Sequence, residues 1–205
     1  MKKICSGNRT IYAFAAAFAV SNLLATSALA DQRPEVQRLF QSGSYDEAVQ
    51  ASQDGDPASI YLAAQAMMKA DNADRAREQF TRLRASNNPA WQMIAQSGEA
   101  LVGGDSGRAV TLARQATEAD GDNPFAFYQL GLAASRSNDW GTATAALTRA
   151  IELKSDFAYA HYYAALANQR ARRLPKAAEH FDAFLRLAPD APERQAVQAI
   201  MRTLK

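Results

Sequence analysis

Cysteine is almost missing from this 205-residue chain: Cys5 is the single one. Beyond that position no thiol exists to form a disulfide, bind a metal or act as a nucleophile. Histidine is nearly as scarce, with His161 and His180 only. No H-E-x-x-H, G-x-S-x-G or phosphate-cradling glycine loop occurs, and Gly103-Gly104-Asp105 reads as a turn. The expectation is therefore no catalysis, no cofactor and no metal. Carboxylates gather at Asp71/Asp74 and Glu118/Asp120/Asp122, but at turns, and 120–122 lacks the spacing of an EF-hand calcium loop. Long apolar runs are missing too. Residues 11–20 form a run interrupted by Ser21 and Asn22, short of the ~20 residues that span a membrane. Nothing alternates with period two over a useful length, so no strands are expected.

What is present begins with a leader. Lys2, Lys3 and Arg9 precede the apolar run, and Ala28-Leu29-Ala30 offers small residues in an A-x-A pattern. These are the parts of a secretory signal peptide, with cleavage expected between Ala30 and Asp31. Cys5 precedes the apolar run and cannot carry a lipid after cleavage, so no stable membrane anchor is expected. Removing the leader takes away three basic residues and no acidic ones, so the net charge falls from +2 to −1, with 20 basic against 21 acidic residues. That balance makes no global case for nucleic acid, and export argues against it further. Residues 31–157 carry 12 basic and 17 acidic residues, while 158–205 carry 8 and 4. The asymmetry fits either two different faces or a solvated helix surface. The expected location is the periplasm of a Gram-negative bacterium.

The rest of the chain repeats. Ala76, Ala109, Ala143 and Ala177 are spaced by 33, 34 and 34 residues, and a period of this length marks a repeat architecture. Each copy has two apolar stripes at helical spacing. Phe127, Leu130, Gly131 and Ala134 fall at i, i+3, i+4 and i+7, and Ala143, Ala146, Leu147 and Ala150 do the same. That is the core face of two amphipathic helices. The small residues Gly131, Ala143 and Ala150 let helices approach closely. Pro89, Pro124 and Pro192 sit at or near helix starts, where a missing N–H is harmless, and Pro175 belongs to the start of a second helix. Asp71-Asn72, Gly103-Gly104-Asp105 and Asn138-Asp139 mark hairpin turns.

The strongest copy reads Phe127-x2-Leu130-Gly131-x2-Ala134, then Ala143-x3-Leu147-x2-Ala150. The next reads His161-x2-Ala164-Ala165-x2-Asn168, then Ala177-x3-Phe181, closing at Pro189. This resembles the tetratricopeptide repeat, W-x2-L-G-x2-Y, A-x3-F, P. Fainter copies carry Met93, Gln96, Ser97 and Ala100 with Ala109, and Ile60, Ala63, Ala64 and Met67 with Ala76. No copy has the leading Trp, Ser155 stands where proline is usual, and Gln96 replaces an apolar residue. The resemblance covers residues 57–191 and implies an all-α, right-handed solenoid of helical hairpins. The expected division is a leader (1–30), a divergent N-terminal hairpin (31–56), four repeats (57–89, 90–123, 124–157, 158–191) and a C-terminal capping helix (192–205). Ser44-x-x-Glu47 is a candidate capping box within the first hairpin. Val197, Ile200, Met201 and Leu204 form the stripe of the cap.

The resemblance also implies where a partner binds, since the first helix of each pair lines the concave surface. Off the packing stripe lie an aromatic row, Tyr61, Trp91, Phe125, Tyr128, Tyr159 and Tyr162, and a basic row, Lys69, Arg136 and Arg170, with Gln65. Ile94, Gly98 and Val102 are assigned to the same face. Aromatics with polar tips and arginines favour binding surfaces; the alternative is that the rings pack on neighbouring helices. The expected function is a protein-interaction scaffold of the bacterial envelope, taking a peptide or helix with apolar anchors and some acidic character. Small-ligand binding, of a lipid or glycan, and self-association are the alternatives. The Lys/Asn clamp by which related repeats hold a C-terminal carboxylate is absent, with Tyr61 and Gln65 at its positions. Both histidines are expected to be structural.

Overall fold

A computed structural model describes residues 32–204 apart from Asp54, and side chains from Pro34 onward. The expected leader and its expected cleavage site lie outside the described residues. Eleven helices make up the described chain: α1 (Gln32–Ser42), α2 (Tyr45–Ala51), α3 (Pro57–Lys69), α4 (Ala73–Arg84), α5 (Pro89–Val102), α6 (Ser106–Ala119), α7 (Pro124–Arg136), α8 (Trp140–Leu153), α9 (Ala158–Arg170), α10 (Leu174–Leu187) and α11 (Arg194–Thr203). The described residues contain no strand. Each helix packs on its sequence neighbours, and α1, α3, α5, α7 and α9 also pack in series. The protein is a right-handed α-solenoid of helical hairpins, α1/α2 through α9/α10. The last helix α11 lies on α10 and buries Val197.

The helix starts follow from short polar side chains. Asp56, Asn88 and Asn123 precede α3, α5 and α7, and their side-chain oxygens accept from the backbone N–H of Ala58, Ala90 and Phe125 at 2.9, 2.8 and 3.0 Å. Pro57, Pro89 and Pro124 follow directly as first helical residues. Asn72, Asp105 and Asp139 cap the second helices α4, α6 and α8 in the same way. This satisfies donors that a helix start otherwise leaves free. Ser44 departs from expectation. It stands at the start of α2 but makes no capping bond, and its hydroxyl accepts from Ser42 Oγ at 3.4 Å instead.

Each hairpin turns on one left-handed residue: Gly43, Asp71, Gly104, Asn138 and Arg172, with φ between 55° and 83°. The next residue's N–H reaches back five residues, as in Asn72 to Met67 O (2.9 Å) and Asp139 to Ala134 O (2.9 Å). This is the helix-ending Schellman bond, and the same residue then starts the second helix. Five residues after each left-handed position stands a fully buried alanine: Ala48, Ala76, Ala109, Ala143 and Ala177. The alanine periodicity is thus the period of the turn.

Two glycines set the closest approaches. A Cβ on Gly131 would meet Leu147 Cγ at 2.4 Å, and one on Gly98 would meet the Phe80 ring at 2.3 Å. Gly98 therefore packs on α4, not toward the concave side where the sequence placed it. Among the described residues Leu174 is the only exposed large apolar side chain.

Thermal unfolding followed by circular dichroism tests both features in opposite directions. Gly131→Ala should destabilise by roughly 1–3 kcal/mol through overpacking. Arg172→Gly should stabilise by about 1 kcal/mol, because glycine adopts the left-handed conformation without the Cβ clash.

Candidate functional site

The inner surface formed by α3, α5, α7 and α9 is where the repeat resemblance places a binding groove. The structure fills it. Tyr61, Tyr128 and Tyr159 are at most 1% exposed, and Phe125 and Gln65 are also buried. Tyr61 on α3 meets Phe125 and Tyr128 on α7 edge-on, at 5.6 and 6.2 Å between ring centres. Tyr128 stacks at 4.5 Å on Phe157 and packs at 5.9 Å on Tyr163. Tyr159 is covered by Phe40 of α1 at 4.6 Å. The expected open groove lined by these rings is corrected: most of the row is core. The cause is curvature. The first helices converge on the inside of the superhelix, so inward-pointing rings two repeats apart reach one another and shed water.

A polar chain runs through this plug. Tyr61 Oη donates to Gln129 Oε1 at 2.8 Å, and Gln65 Nε2 donates to the same oxygen at 3.3 Å. Gln129 Nε2 donates to Ser97 Oγ at 3.0 Å, and Ser97 Oγ to the Ala109 carbonyl at 2.8 Å. Every polar group has a partner, as burial demands. Sequence reasoning passed over Gln129, although a lone amide in the apolar run 125–134 was a visible signal. Burial pushes the Tyr61 and Tyr128 hydroxyls well above their ordinary pKa, so both remain neutral and Tyr61 keeps the proton it donates to Gln129.

The remaining expected site residues divide between two mouths and the outside. Trp91, half-buried, and Phe125 stack at 5.5 Å. With Pro57, Pro124 and Leu153 they line a cavity of about 390 Å³ at the starts of α3, α5 and α7, with Lys154 at its edge. Gln65, Lys69 and Arg136 line a second cavity of about 220 Å³ at the other ends of the same helices, with Leu101, Leu132 and Tyr163. Tyr162 is half-buried against Phe184 at 5.1 Å. Arg170 is exposed, 6.0 Å from the Trp140 ring on the outside, and is not part of either mouth.

Lys69 already has an anion. It forms an ion pair with Glu193, from the segment before α11, and sits 4.4 Å over the Tyr159 ring. Tyr159 Oη donates to the other Glu193 oxygen at 2.8 Å. Burial alone pushes the Glu193 carboxyl up, but the Lys69 bond and charge, with the Tyr159 hydroxyl, outweigh it and hold the pKa below the ordinary carboxylate value. The same carboxylate and desolvation push Tyr45 up to about 12, burial being the larger cause. Beside this contact, Pro192 lies against Gly43, where a Cβ would meet the proline ring at 2.7 Å. The N-terminal hairpin and the C-terminal segment therefore meet inside the superhelix. No sequence signal links Lys69 to a residue 124 positions away.

The two histidines come together across α9 and α10. His161 Nε2 lies 3.2 Å from the Ser155 carbonyl, which can only accept, so that nitrogen carries the proton. His161 Nδ1 then accepts from His180 Nδ1 at 3.2 Å. Desolvation lowers both pKa values. Among the described residues no group of three His, Cys, Asp or Glu side chains could hold a metal ion, and no helix is long and apolar enough to cross a membrane.

Two substitutions test the plug. Tyr128→Ala should cost about 3–5 kcal/mol of unfolding free energy, as large aromatic truncations do, measured by chemical denaturation. Glu193→Gln should cost about 1.5–3 kcal/mol at neutral pH, the range for a hydrogen bond to a charged group. Because the carboxyl is held low when folded, its contribution is complete above an unfolded pKa of about 4.3 and disappears as pH falls through the folded value. The stability gap between wild type and variant should close on acidification.

Residues 128–192 match the tetratricopeptide repeat family model. None of the curated proteins matches the chain. Among solved structures, TTC0263, a thermophilic tetratricopeptide-repeat protein of Thermus thermophilus, is 18% identical, with 86% of this chain and 98% of that one covered and a TM-score of 0.59. The first tetratricopeptide-repeat domain of Spaghetti (RPAP3), bound to the HSP90 peptide SRMEEVD, is 17% identical, covering 60% and 94%, at 0.54. The TPR2AB domain of yeast Sti1, in complex with an HSP90 peptide, is 13% identical, covering 86% and 85%, at 0.53. The family model matches the third and fourth repeats in sequence, and the stacked hairpins of the described residues have the tetratricopeptide-repeat fold.

Proposed function

We propose that the protein is a non-enzymatic interaction scaffold of the bacterial envelope, exported by a leader cleaved after Ala30. It docks a segment of another protein at the Trp91 mouth. The repeat fold supports a protein partner in general, since similar folds hold peptides in the RPAP3 and Sti1 structures. The observation that carries the site is the division of the groove by its aromatic plug. A segment cannot run through all four repeats, so docking is confined to a mouth.

Size and occupancy choose between the two mouths. The Trp91 cavity, about 390 Å³, falls within the usual 300–1,000 Å³ for a binding cavity. The Arg136 cavity, about 220 Å³, does not, and its Lys69 is engaged by Glu193. The Trp91 mouth is walled by rings, prolines and Leu153, which suit an aromatic or branched apolar side chain. Lys154 at this mouth is paired with Asp156 at 2.8 Å and Asp56 stands in the same wall, so the anchor is chosen by shape and apolarity and not by an acidic neighbour.

A photo-crosslinking amino acid placed at position 91 in cells should give one dominant protein adduct, carried by protein beginning at Asp31. The same probe at 136 should not give that adduct. Absence of the adduct, or equal adducts from both positions, overturns the docking site. Capture on protein that retains residues 1–30 overturns the export reading.

A further inference from the structure

The fourth repeat breaks the pattern of the others at two places, and both lie on one cavity away from the concave side. The first is the start of α10. Its counterparts α4, α6 and α8 are capped by Asn72, Asp105 and Asp139. Here the position is Arg173, and no side chain caps the helix. The guanidinium instead donates to Thr144 Oγ1 on α8 at 3.4 Å. Lys176 follows in the first turn, and among the described residues no ion pair engages it. An uncapped helix start with two cations beside it attracts an anion.

The second departure is Asn168 on α9. Ala134, 34 residues earlier, and Ala100, 34 before that, hold apolar residues at this position. Asn168 is 2% exposed. Its Nδ2 donates to the Ala164 carbonyl at 2.8 Å, which fixes the amide orientation because a carbonyl only accepts. Its Oδ1 is left as the one buried side-chain polar atom without a hydrogen-bond partner among the described residues. A buried acceptor in this state costs stability unless a donor arrives.

Asn168, Arg173 and Lys176 line the same cleft between α8 and α10, of about 640 Å³. Arg149 in its wall is paired with Glu152 at 3.2 Å, so Arg173 and Lys176 face only Glu179 as an uncompensated acid. We infer that this cleft binds a small hydroxyl-bearing anion, a monophosphorylated sugar or polyol. The phosphate lies against Arg173, Lys176 and the open start of α10. A hydroxyl donates to Asn168 Oδ1, and Glu179 accepts from another. Glu179 weighs against a bare polyanion, and the phosphate is needed to engage the cations.

Titration calorimetry on the protein as residues 31–205 tests this, with glucose 6-phosphate as the probe and glucose and inorganic phosphate as comparisons. Glucose 6-phosphate should bind at least tenfold more tightly than either comparison. Asn168→Ala restores the residue of the earlier repeats, and Arg173→Asn restores the capping acceptor. Each should raise the melting temperature of the free protein while weakening the probe at least tenfold. No binding of the probe, binding matched by inorganic phosphate, or binding unchanged in either variant overturns the inference. Because both variants are expected to be more stable than wild type, lost binding cannot be ascribed to unfolding.

Discussion

The hydroxyl of Tyr61 meets the side chain of Gln129 across two repeats, and the architecture depends on the convergence that this contact requires. Helical hairpins stacked through alanine and glycine lie close together, and their first helices form the inner wall of a curved stack. Side chains on that wall must face either water or one another. Here they include five rings of Phe, Tyr or Trp on α3, α5 and α7 and at the start of α9, and rings that can touch gain by excluding water. The inner surface became a second core. A repeat protein is ordinarily a one-dimensional stack in which each unit sees only its neighbours. The plug adds contacts between units that are not neighbours, which makes the stack more cooperative than its repeat count implies.

The two ends of the chain complete this closure. Phe40 from the first hairpin covers Tyr159, and Glu193 from the segment before the cap binds Lys69 and Tyr159. The acidic group that a basic groove would take from a partner is supplied by the chain itself. What stays open are the two mouths, at opposite ends of the same helices. Their different sizes and occupancies, not the length of the groove, decide where a partner fits.

The fourth repeat matches the period but not the chemistry of the other three. Its first helix begins without a side-chain cap at Phe157, its second begins at Arg173, and its packing stripe carries Asn168. In a stack held by small apolar residues, each of these changes gives up local stability. The convergence of Arg173 and Asn168 on one cleft is the reason to read those two together as a site. His180 also lines this cleft, where desolvation and its bond to His161 keep it a neutral ring.

The helices, their order and the repeat spacing were legible in the sequence, because they rest on local rules: alanine or glycine at the close crossings, Asn or Asp before the starts of α3 to α8, proline just inside α3, α5 and α7, and a turn residue five positions before each alanine. The identity of the inward-facing rings was legible too. Their environment was not. Whether Tyr128 faces water or Tyr61 depends on how far the stack bends, a sum of small rotations at every hairpin that no single segment encodes. For the same reason Gln129, Glu193 and the meeting of Gly43 with Pro192 could not be anticipated: each joins residues whose separation in sequence carries no distance information. The chain by itself determined the hairpins. Only the bend of the assembled stack decided that its concave face would be interior.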